Sequence, residues 1–262
     1  MLINSQKYVK KPEEIQTMRK AGKILGNILK ELENMISPNI KIWDLEERFL
    51  ELTRKNNVVP SCKDYAPYDL PPFPTGLCVS VNNQSVHCFP KKNTILRNGD
   101  IVTIDTDIGL NGLYVDSAFS KGVGDISDER SLLLSTTKEA RDKAIKKVKA
   151  GIRVGVISHT IQKTAQAKGF DVIREYAGHG IGKEMHEFPE IPCFGNKSNG
   201  PKLRENMTIC IEPLICAGNP QIEHLSSWET KMADNKDFCQ FEHTVLVKKD
   251  GYEILTEPDL SD

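Results

Sequence analysis

Two short apolar runs on either side of an Asn-Gly dipeptide constrain the fold more than any other stretch of the sequence. Asn111-Gly112 predicts a type I′ turn, because both central residues of that turn need positive φ. The register then follows by counting: Asp107 faces Asp116, and Asp105 faces Ala118. Side chains alternate along a strand, so the three aspartates share one face of the predicted hairpin.

Three carboxylates on one face repel one another, and two interpretations are open from this stretch alone. The face is either the solvated side of an edge hairpin or a buried cluster. A buried cluster needs cations, and oxygen ligands this close together suit hard or borderline divalent metal ions. Residues elsewhere in the chain decide between the two.

Composition limits the partners and the compartment. The chain has 262 residues and a net charge of -1, which gives no electrostatic reason to expect nucleic acid or an anionic membrane as the main partner. Seven scattered cysteines without a Cys-x-x-Cys pair favour reduced thiols over a disulfide framework. No run approaches the ~18 apolar residues of a membrane span, and residues 1–12 do not resemble a signal peptide. We therefore expect a cytoplasmic protein that makes no membrane contact.

Hydrophobic spacing predicts two helices followed by strands, twice over. The expected helices cover residues 12–34, 44–55, 131–148 and 156–168, and the expected strands cover residues 78–81, 101–122, 172–176, 207–213, 241–247 and 252–256.

A weak internal repeat supports this order. Residues 35–45 resemble residues 147–157, and residues 96–105 resemble residues 203–212, which places Asp105 on Glu212. Chance likeness of amphipathic segments is the alternative. We expect one catalytic domain over 1–262, in two halves of about 12–122 and 125–256 with the site between them.

Further candidate ligands lie in the second half. His179 stands between two glycines, whereas Glu212 and Glu242 stand in apolar strand settings, where a carboxylate is rarely left unpaired. Each has an ordinary alternative, a turn histidine or a salt-bridged carboxylate. Together with the hairpin they offer one imidazole and four carboxylates, which suits two metal ions ~3.5–4 Å apart.

Five motifs, in order and at matching intervals, resemble the methionine aminopeptidases. They are Val102-Thr103-Ile104-Asp105, Tyr114-Val115-Asp116-Ser117, Tyr176-Ala177-Gly178-His179-Gly180-Ile181-Gly182, Ile211-Glu212-Pro213 and Phe241-Glu242-His243-Thr244. The short interval from His186 to Glu212 resembles the bacterial-style type I enzymes of metallopeptidase family M24 rather than type II. The resemblance implies the pita-bread (creatinase/aminopeptidase) fold, an α+β architecture of two pseudo-twofold-related halves with antiparallel sheet and outer helices.

The resemblance also implies the chemistry. Two divalent ions (cobalt, manganese, iron or zinc) would be bound by Asp105, Asp116, His179, Glu212 and Glu242, with Asp116 and Glu242 bridging. Water activated by the metals would attack the carbonyl after the first residue. Glu212 would shuttle the proton, His87 would contact the scissile amide nitrogen, and His186 would steady the carbonyl oxygen.

A methionine pocket is implied by the same resemblance. It would contain Cys62, Tyr65, Tyr68, Cys78, Met185 and Trp228, because sulfur and aromatic edges suit a thioether. The chain departs from the family at Ala66, at Met185, at Asp107 (usually a hydroxyl residue) and in a stretch over 69–74 that is about five residues longer than usual. These departures affect the expected pocket shape and local charge, not the expected reaction.

The expected activity is removal of the initiator methionine from nascent proteins and peptides whose second residue is small. The expected substrate is therefore an N-terminal peptide, with the ribosome as a further partner and a monomer as the oligomeric state. The alternatives are an Xaa-Pro aminopeptidase or prolidase of the same fold, or a non-catalytic binding protein on this fold.

Overall fold

The first half packs two long helices against a four-stranded antiparallel sheet. The computed structural model describes residues 5–259, so the ends of the expected domain, residues 1–4 and 260–262, lie outside the described residues. After a 3-10 helix over Ser5–Tyr8, the elements are α1 (Pro12–Met35), α2 (Ile42–Lys55), β1 (Val59–Pro60), β2 (Cys78–Val81), β3 (Ile101–Leu110) and β4 (Leu113–Gly122). β3 lies at the centre, paired with β1, β2 and β4.

The second half repeats two helices and then strands. Its helices are α3 (Asp128–Ile145) and α4 (Val154–Gln166), and its strands are β5 (Asp171–Val172), β6 (Ala177–Gly180), β7 (Glu187–Pro192), β8 (Thr208–Ile211), β9 (Leu214–Cys216), β10 (Ile222–His224), β11 (Thr230–Met232), β12 (Phe238–Gln240), β13 (His243–Lys248) and β14 (Gly251–Ile254). The largest sheet has the antiparallel order β14-β13-β8-β6-β7. None of the helices within residues 5–259 has the length and apolarity that a bilayer crossing demands.

The helix starts follow local hydrogen bonding. Pro12 occupies the first turn of α1, and the Glu14 carboxylate accepts the N–H of Lys11 at 2.7 Å. The Ser127 hydroxyl caps α3 by accepting the N–H of Arg130. α2 begins two residues earlier than the expected residue 44, at Ile42, whose N–H bonds to the carbonyl of Thr94.

The central hairpin has the predicted turn and register. Asn111 and Gly112 have φ of 52° and 75°, and Asp107 pairs with Asp116 while Asp105 pairs with Ala118. The face that carries the aspartates is buried rather than solvated, since Asp107 is only 5% exposed. The solvated-edge interpretation is therefore excluded.

The strand predicted over 172–176 was wrong. Only Asp171–Val172 forms β5, and the next strand is β6, so His179 lies within a strand instead of following one. Ile173 makes one further contact with β9, donating its N–H to the carbonyl of Leu214. The last hairpin also turns one residue earlier than predicted, because Lys248 pairs directly with Gly251.

A junction of β4 with the chain around β13 connects the two halves; we call it the β4–β13 junction. The Thr244 hydroxyl accepts the N–H of Asp116 at 2.9 Å and donates to its carbonyl at 2.8 Å. The N–H of Glu242 donates to the carbonyl of Ala118, and the Ser117 hydroxyl donates to that of Glu242. The backbones of Asp116 and Glu242 are thereby fixed relative to each other.

Candidate metal centre

The hairpin supplies the first carboxylates of the centre. Asp105 stands in the middle of β3, between Cys78 on β2 and Ala118 on β4. Asp116 stands on β4 and is 6% exposed. Strand alternation and the I′ turn therefore place both carboxylates on the same buried face, as the sequence predicted.

His179 reaches the same centre from β6, and its glycine neighbours serve packing. A Cβ on Gly178 would lie 2.5 Å from the Cys210 carbonyl, and one on Gly180 would lie 2.3 Å from the Phe188 carbonyl. The glycines let β8 and β7 approach closely. A histidine between two glycines suggests, from the sequence, that the glycines leave room around the imidazole. In the structure the glycines do not have that role.

Glu212 and Glu242 lie at the ends of two neighbouring inner strands of the large sheet, β8 and β13. Ile211, the last residue of β8, pairs with His243, the first residue of β13, so the glutamates on either side of this pair are neighbours. His179 Nε2 lies 3.6 Å from Glu212 Oε1 and 3.8 Å from Asp116 Oδ2. Ligand atoms of Asp116, His179 and Glu242 lie within 4.8 Å of one another.

Burial dominates the electrostatics of the centre. It raises the pKa of Asp105 to about 6, and it raises the pKa values of Asp116, Glu212 and Glu242 well above the ordinary range, with neighbouring carboxylates adding to the shift. No lysine or arginine within residues 5–259 forms an ion pair with these four side chains. The cluster therefore needs positive charge from outside the protein.

The donors fit divalent metal. Asp116 Oδ1 and Glu242 Oε1 are buried and have no hydrogen-bond partner among the described residues. His179 Nδ1 lies 2.9 Å from the Gly180 carbonyl, and burial lowers its pKa to about 3. A neutral ring that donates through Nδ1 leaves Nε2 free to bind a metal.

Cys210 is a neighbour that sequence reasoning missed. Its sulfur belongs to the same group of atoms within 4.8 Å as Asp116, His179 and Glu242. Burial, followed by the charges of Glu242 and Asp116, raises the pKa of this thiol well above its usual value. A thiol binds metal poorly without losing its proton. Cys210 is therefore a neighbour of Glu242 and not a candidate ligand. Its position in β8, two residues before Glu212, was the available signal.

A small buried cluster of sulfur and aromatic side chains lies beside the centre, where the sequence predicts the pocket. Cys62, Phe73 and Cys78 are buried together, with Phe89 and Trp228 packed against them. The rings of Phe73 and Trp228 meet edge to face with centroids 5.3 Å apart. Cys62 also donates from Sγ to Asp107 Oδ2 at 3.4 Å, which connects the pocket to the hairpin.

Tyr68 does not reach this pocket, contrary to expectation, and Phe73 lies there instead. Tyr68 is 96% exposed, because positive φ at Tyr68 and Asp69 turns the loop outward. The chain returns at Phe73, whose N–H donates to the carbonyl of Tyr65, while Trp228 Nε1 donates to the Pro71 carbonyl. The available signal for Phe73 was an aromatic residue next to proline shortly before Cys78.

The remaining predicted residues surround the entrance. The ring of His87 contacts those of Tyr176 and Trp228, with centroids 5.0 and 6.0 Å apart. His186 is exposed, lies 4.5 Å from the His179 ring, and has Nδ1 3.1 Å from the Tyr65 hydroxyl. Met185 is buried directly before it. The structure thus brings His87, Tyr65 and His186 into contact with neighbours of the centre, whereas Tyr68 lies away from it.

Comparison with known proteins identifies relatives over nearly the whole chain. Residues 16–249 match the model of metallopeptidase family M24. A methionine aminopeptidase from Clostridium acetobutylicum is 38% identical over 249 residues, which is 95% of this chain and 98% of that protein.

Solved structures agree with the sequence relatives. The crystal structure of methionine aminopeptidase from Thermotoga maritima superimposes with a TM-score of 0.91 at 40% identity, covering 95% of this chain and 98% of that one. Prolidase from Pyrococcus furiosus has a TM-score of 0.76 at 21% identity, covering 97% of this chain and 67% of that one, and so shares the fold alone. The α+β pita-bread fold expected from the sequence is thereby confirmed.

Proposed function

The chain belongs to metallopeptidase family M24, and on that premise we propose that it removes the N-terminal methionine of newly made proteins whose second residue is small. One observation carries the proposal: the carboxylate–histidine centre adjoins a buried cluster of sulfur and aromatic side chains. The centre suits metal-assisted hydrolysis, and the pocket suits the flexible thioether of methionine.

Two divalent ions would be held by the five residues of the centre. Asp105, His179 and Glu212 would hold the ions together with Asp116 and Glu242, each of which has a buried oxygen without a hydrogen-bond partner among the described residues. Bound there, the ions would polarise the scissile carbonyl and lower the pKa of water.

The chain's own groups handle protons and substrate orientation. Burial and then Asp105 raise the pKa of Glu212 well above its usual value, so its carboxyl can take a proton from water and pass it to the leaving amine. His186 uses Nδ1 toward Tyr65 and has Nε2 available for the carbonyl oxygen, where negative charge develops. His87, at the pocket entrance, would orient the amide nitrogen.

We further propose that the enzyme works in the cytoplasm, as a monomer, on N-terminal peptides leaving the ribosome. The seven cysteines support the compartment, because all are free and buried, as expected in a reducing environment. Their thiols also contribute to the core and to the pocket.

Peptide cleavage with one metal added back at a time tests the proposal. The metal-free protein should regain cleavage of Met-Ala-Ser but not of Met-Lys-Ser or Ala-Pro-Ala. Glu242→Gln should abolish cleavage, whereas Glu257→Gln, the same change at an exposed position, should leave it unchanged. Preference for the proline peptide would replace this function with that of an Xaa-Pro enzyme.

A further inference from the structure

Asp107 is a buried carboxylate at the edge of the centre with one oxygen unused. Its side chain is 5% exposed, and Oδ2 accepts only the Cys62 thiol at 3.4 Å. Oδ1 is buried and has no hydrogen-bond partner among residues 5–259. A thiol is a weak donor, so this contact leaves most of the cost of burying a carboxylate unmet.

The hairpin places Asp107 on the face that carries Asp105 and Asp116. Asp105 is two residues away on the same strand face, and Asp116 is directly opposite in the register. The side chain of His179, in contrast, lies beside Asp116 and Glu212.

An arrangement of this kind needs a cation at Asp107. No lysine or arginine within the described residues forms an ion pair with it. Taking a carboxylate out of water costs several kcal/mol unless a nearby positive charge offsets it. A metal ion bound by the surrounding carboxylates would supply this positive charge.

We propose that Asp107 is a sixth protein ligand of the centre and binds the ion on the Asp105 side, an inference that rests on the two-ion centre of the proposed function. That ion would then be surrounded by carboxylates alone, from Asp105, Asp107, Asp116 and Glu242. The other ion keeps the imidazole of His179. An all-oxygen site favours hard ions such as Mn²⁺ over softer ones such as Zn²⁺.

Mn²⁺ binding to the metal-free, full-length protein tests this by titration calorimetry and elemental analysis. Asp107→Asn should weaken binding of one of two Mn²⁺ ions by at least roughly tenfold, the scale of losing a metal-site partner, and leave the other within about twofold. Asp107→Ser should do the same, so the result does not depend on one variant folding.

Thermal unfolding gives a second readout that a structural role would not produce. Without metal, Asp107→Asn should unfold at the same temperature as the wild type or higher, because a buried charge is removed. Its rise in unfolding temperature with Mn²⁺ should be smaller. If Asp107 had only a structural role, Asp107→Asn would lower the unfolding temperature of the metal-free protein. The rise in unfolding temperature with Mn²⁺ would then be as large as in the wild type.

Controls separate this inference from the function on which it rests. Asp125→Asn makes the same chemical change at an exposed position and should bind both ions like the wild type. Asp105→Asn should lose the same ion as Asp107→Asn. If both Asp107 variants bind two ions as tightly as the wild type, Asp107 is not a ligand and the proposed function stands. If the wild type itself binds no Mn²⁺, both fall.

Discussion

His87 is held in an unusual conformation beside the centre. Its φ is 63°, and its ring packs between Tyr176 and Trp228. Burial, and secondarily the nearby His186, lowers its pKa to about 4, so the ring is uncharged at neutral pH. A neutral imidazole fixed in this way can orient a substrate amide through one nitrogen.

His87→Ala should lower kcat for Met-Ala-Ser by roughly 10²–10⁴-fold while the bound metal stays unchanged. The reason is that, in the proposed function, the ring would contact the substrate and not the ions. Steady-state kinetics and elemental analysis measure the two effects. His224→Ala, at an exposed position on β10, should turn over like the wild type. Undiminished turnover in the His87 variant would remove this residue from the reaction.

Individual site residues were predictable where a regular element fixes them. Strand alternation and one turn type were enough to place Asp105, Asp107 and Asp116 on one face. The pocket was not predictable in this way, because the loop before Cys78 has no period. Positive φ values and successive prolines decide that Phe73 points inward and Tyr68 outward.

At the scale of elements, the segment that carries Met185 and His186 is fixed by the chain's N-terminal part. Lys10 Nζ lies 2.6 Å from Glu187 Oε2, and the two side chains are 3% and 6% exposed. Glu187 Oε1 accepts the N–H of Lys183 at 2.7 Å, which closes the turn before β7. The ion pair therefore holds the turn that leads to His186.

Lys10→Met should destabilise the protein by about 3–5 kcal/mol, because it leaves the Glu187 carboxylate buried and unpaired. Adding Glu187→Gln should recover most of that loss. Urea denaturation measures both. Lys183→Met breaks the pair with Glu14 at a side chain 64% exposed, and should cost at most ~1 kcal/mol. Equal losses in the single and double variants would mean that the pair contributes packing rather than charge.

Helices were predicted to within a few residues and β2 at its bounds, whereas β5 and β6 were not predicted. α1 and α4 repeat their apolar residues over several turns, which gives a strong signal. β5 has two residues and β6 has four, two of them glycine, so no alternation is visible. Their partners, β9 and β8, lie far along the sequence, and the pairing is decided by tertiary contacts.

For the whole molecule, an ion pair connects the first long helix to the last strand. Arg19 donates to Glu253 from Nε at 2.6 Å and from Nη2 at 2.8 Å. The bond from Arg19 is the main cause that lowers the pKa of Glu253 to about 2, from an ordinary 4.5. A pKa lowered on folding stabilises the protein above pH 4.5, and that stability is lost as pH falls toward 2.

Glu253→Gln should therefore cost about 1 kcal/mol at pH 7, since solvent screens a pair this accessible. The difference from the wild type should narrow at pH 3. Denaturant unfolding at both pH values measures it. Glu257→Gln changes an exposed glutamate that has no side-chain ion pair within residues 5–259, and should show no such trend. A gap that stays constant with pH would contradict the assignment.

The order of elements across the whole chain was predictable, and the closing of the centre was not. In each half, the local spacing of apolar residues predicts the helices and strands. The β4–β13 junction instead joins residues more than a hundred positions apart through side-chain hydroxyls such as those of Ser117 and Thr244. Such contacts leave no periodic trace in a single sequence.

The β4–β13 junction also determines when the centre can form during synthesis of the chain. Glu242 follows Asp105 by 137 residues. A ribosome that adds about 5–20 residues per second makes these two parts of one centre roughly 7–27 s apart. The hairpin that carries Asp105 is made first, and the centre stays incomplete until the chain around β13 has been synthesised. In the proposed function, metal loading therefore follows synthesis of Glu242, and a partly made chain would not act on any N-terminus, its own included.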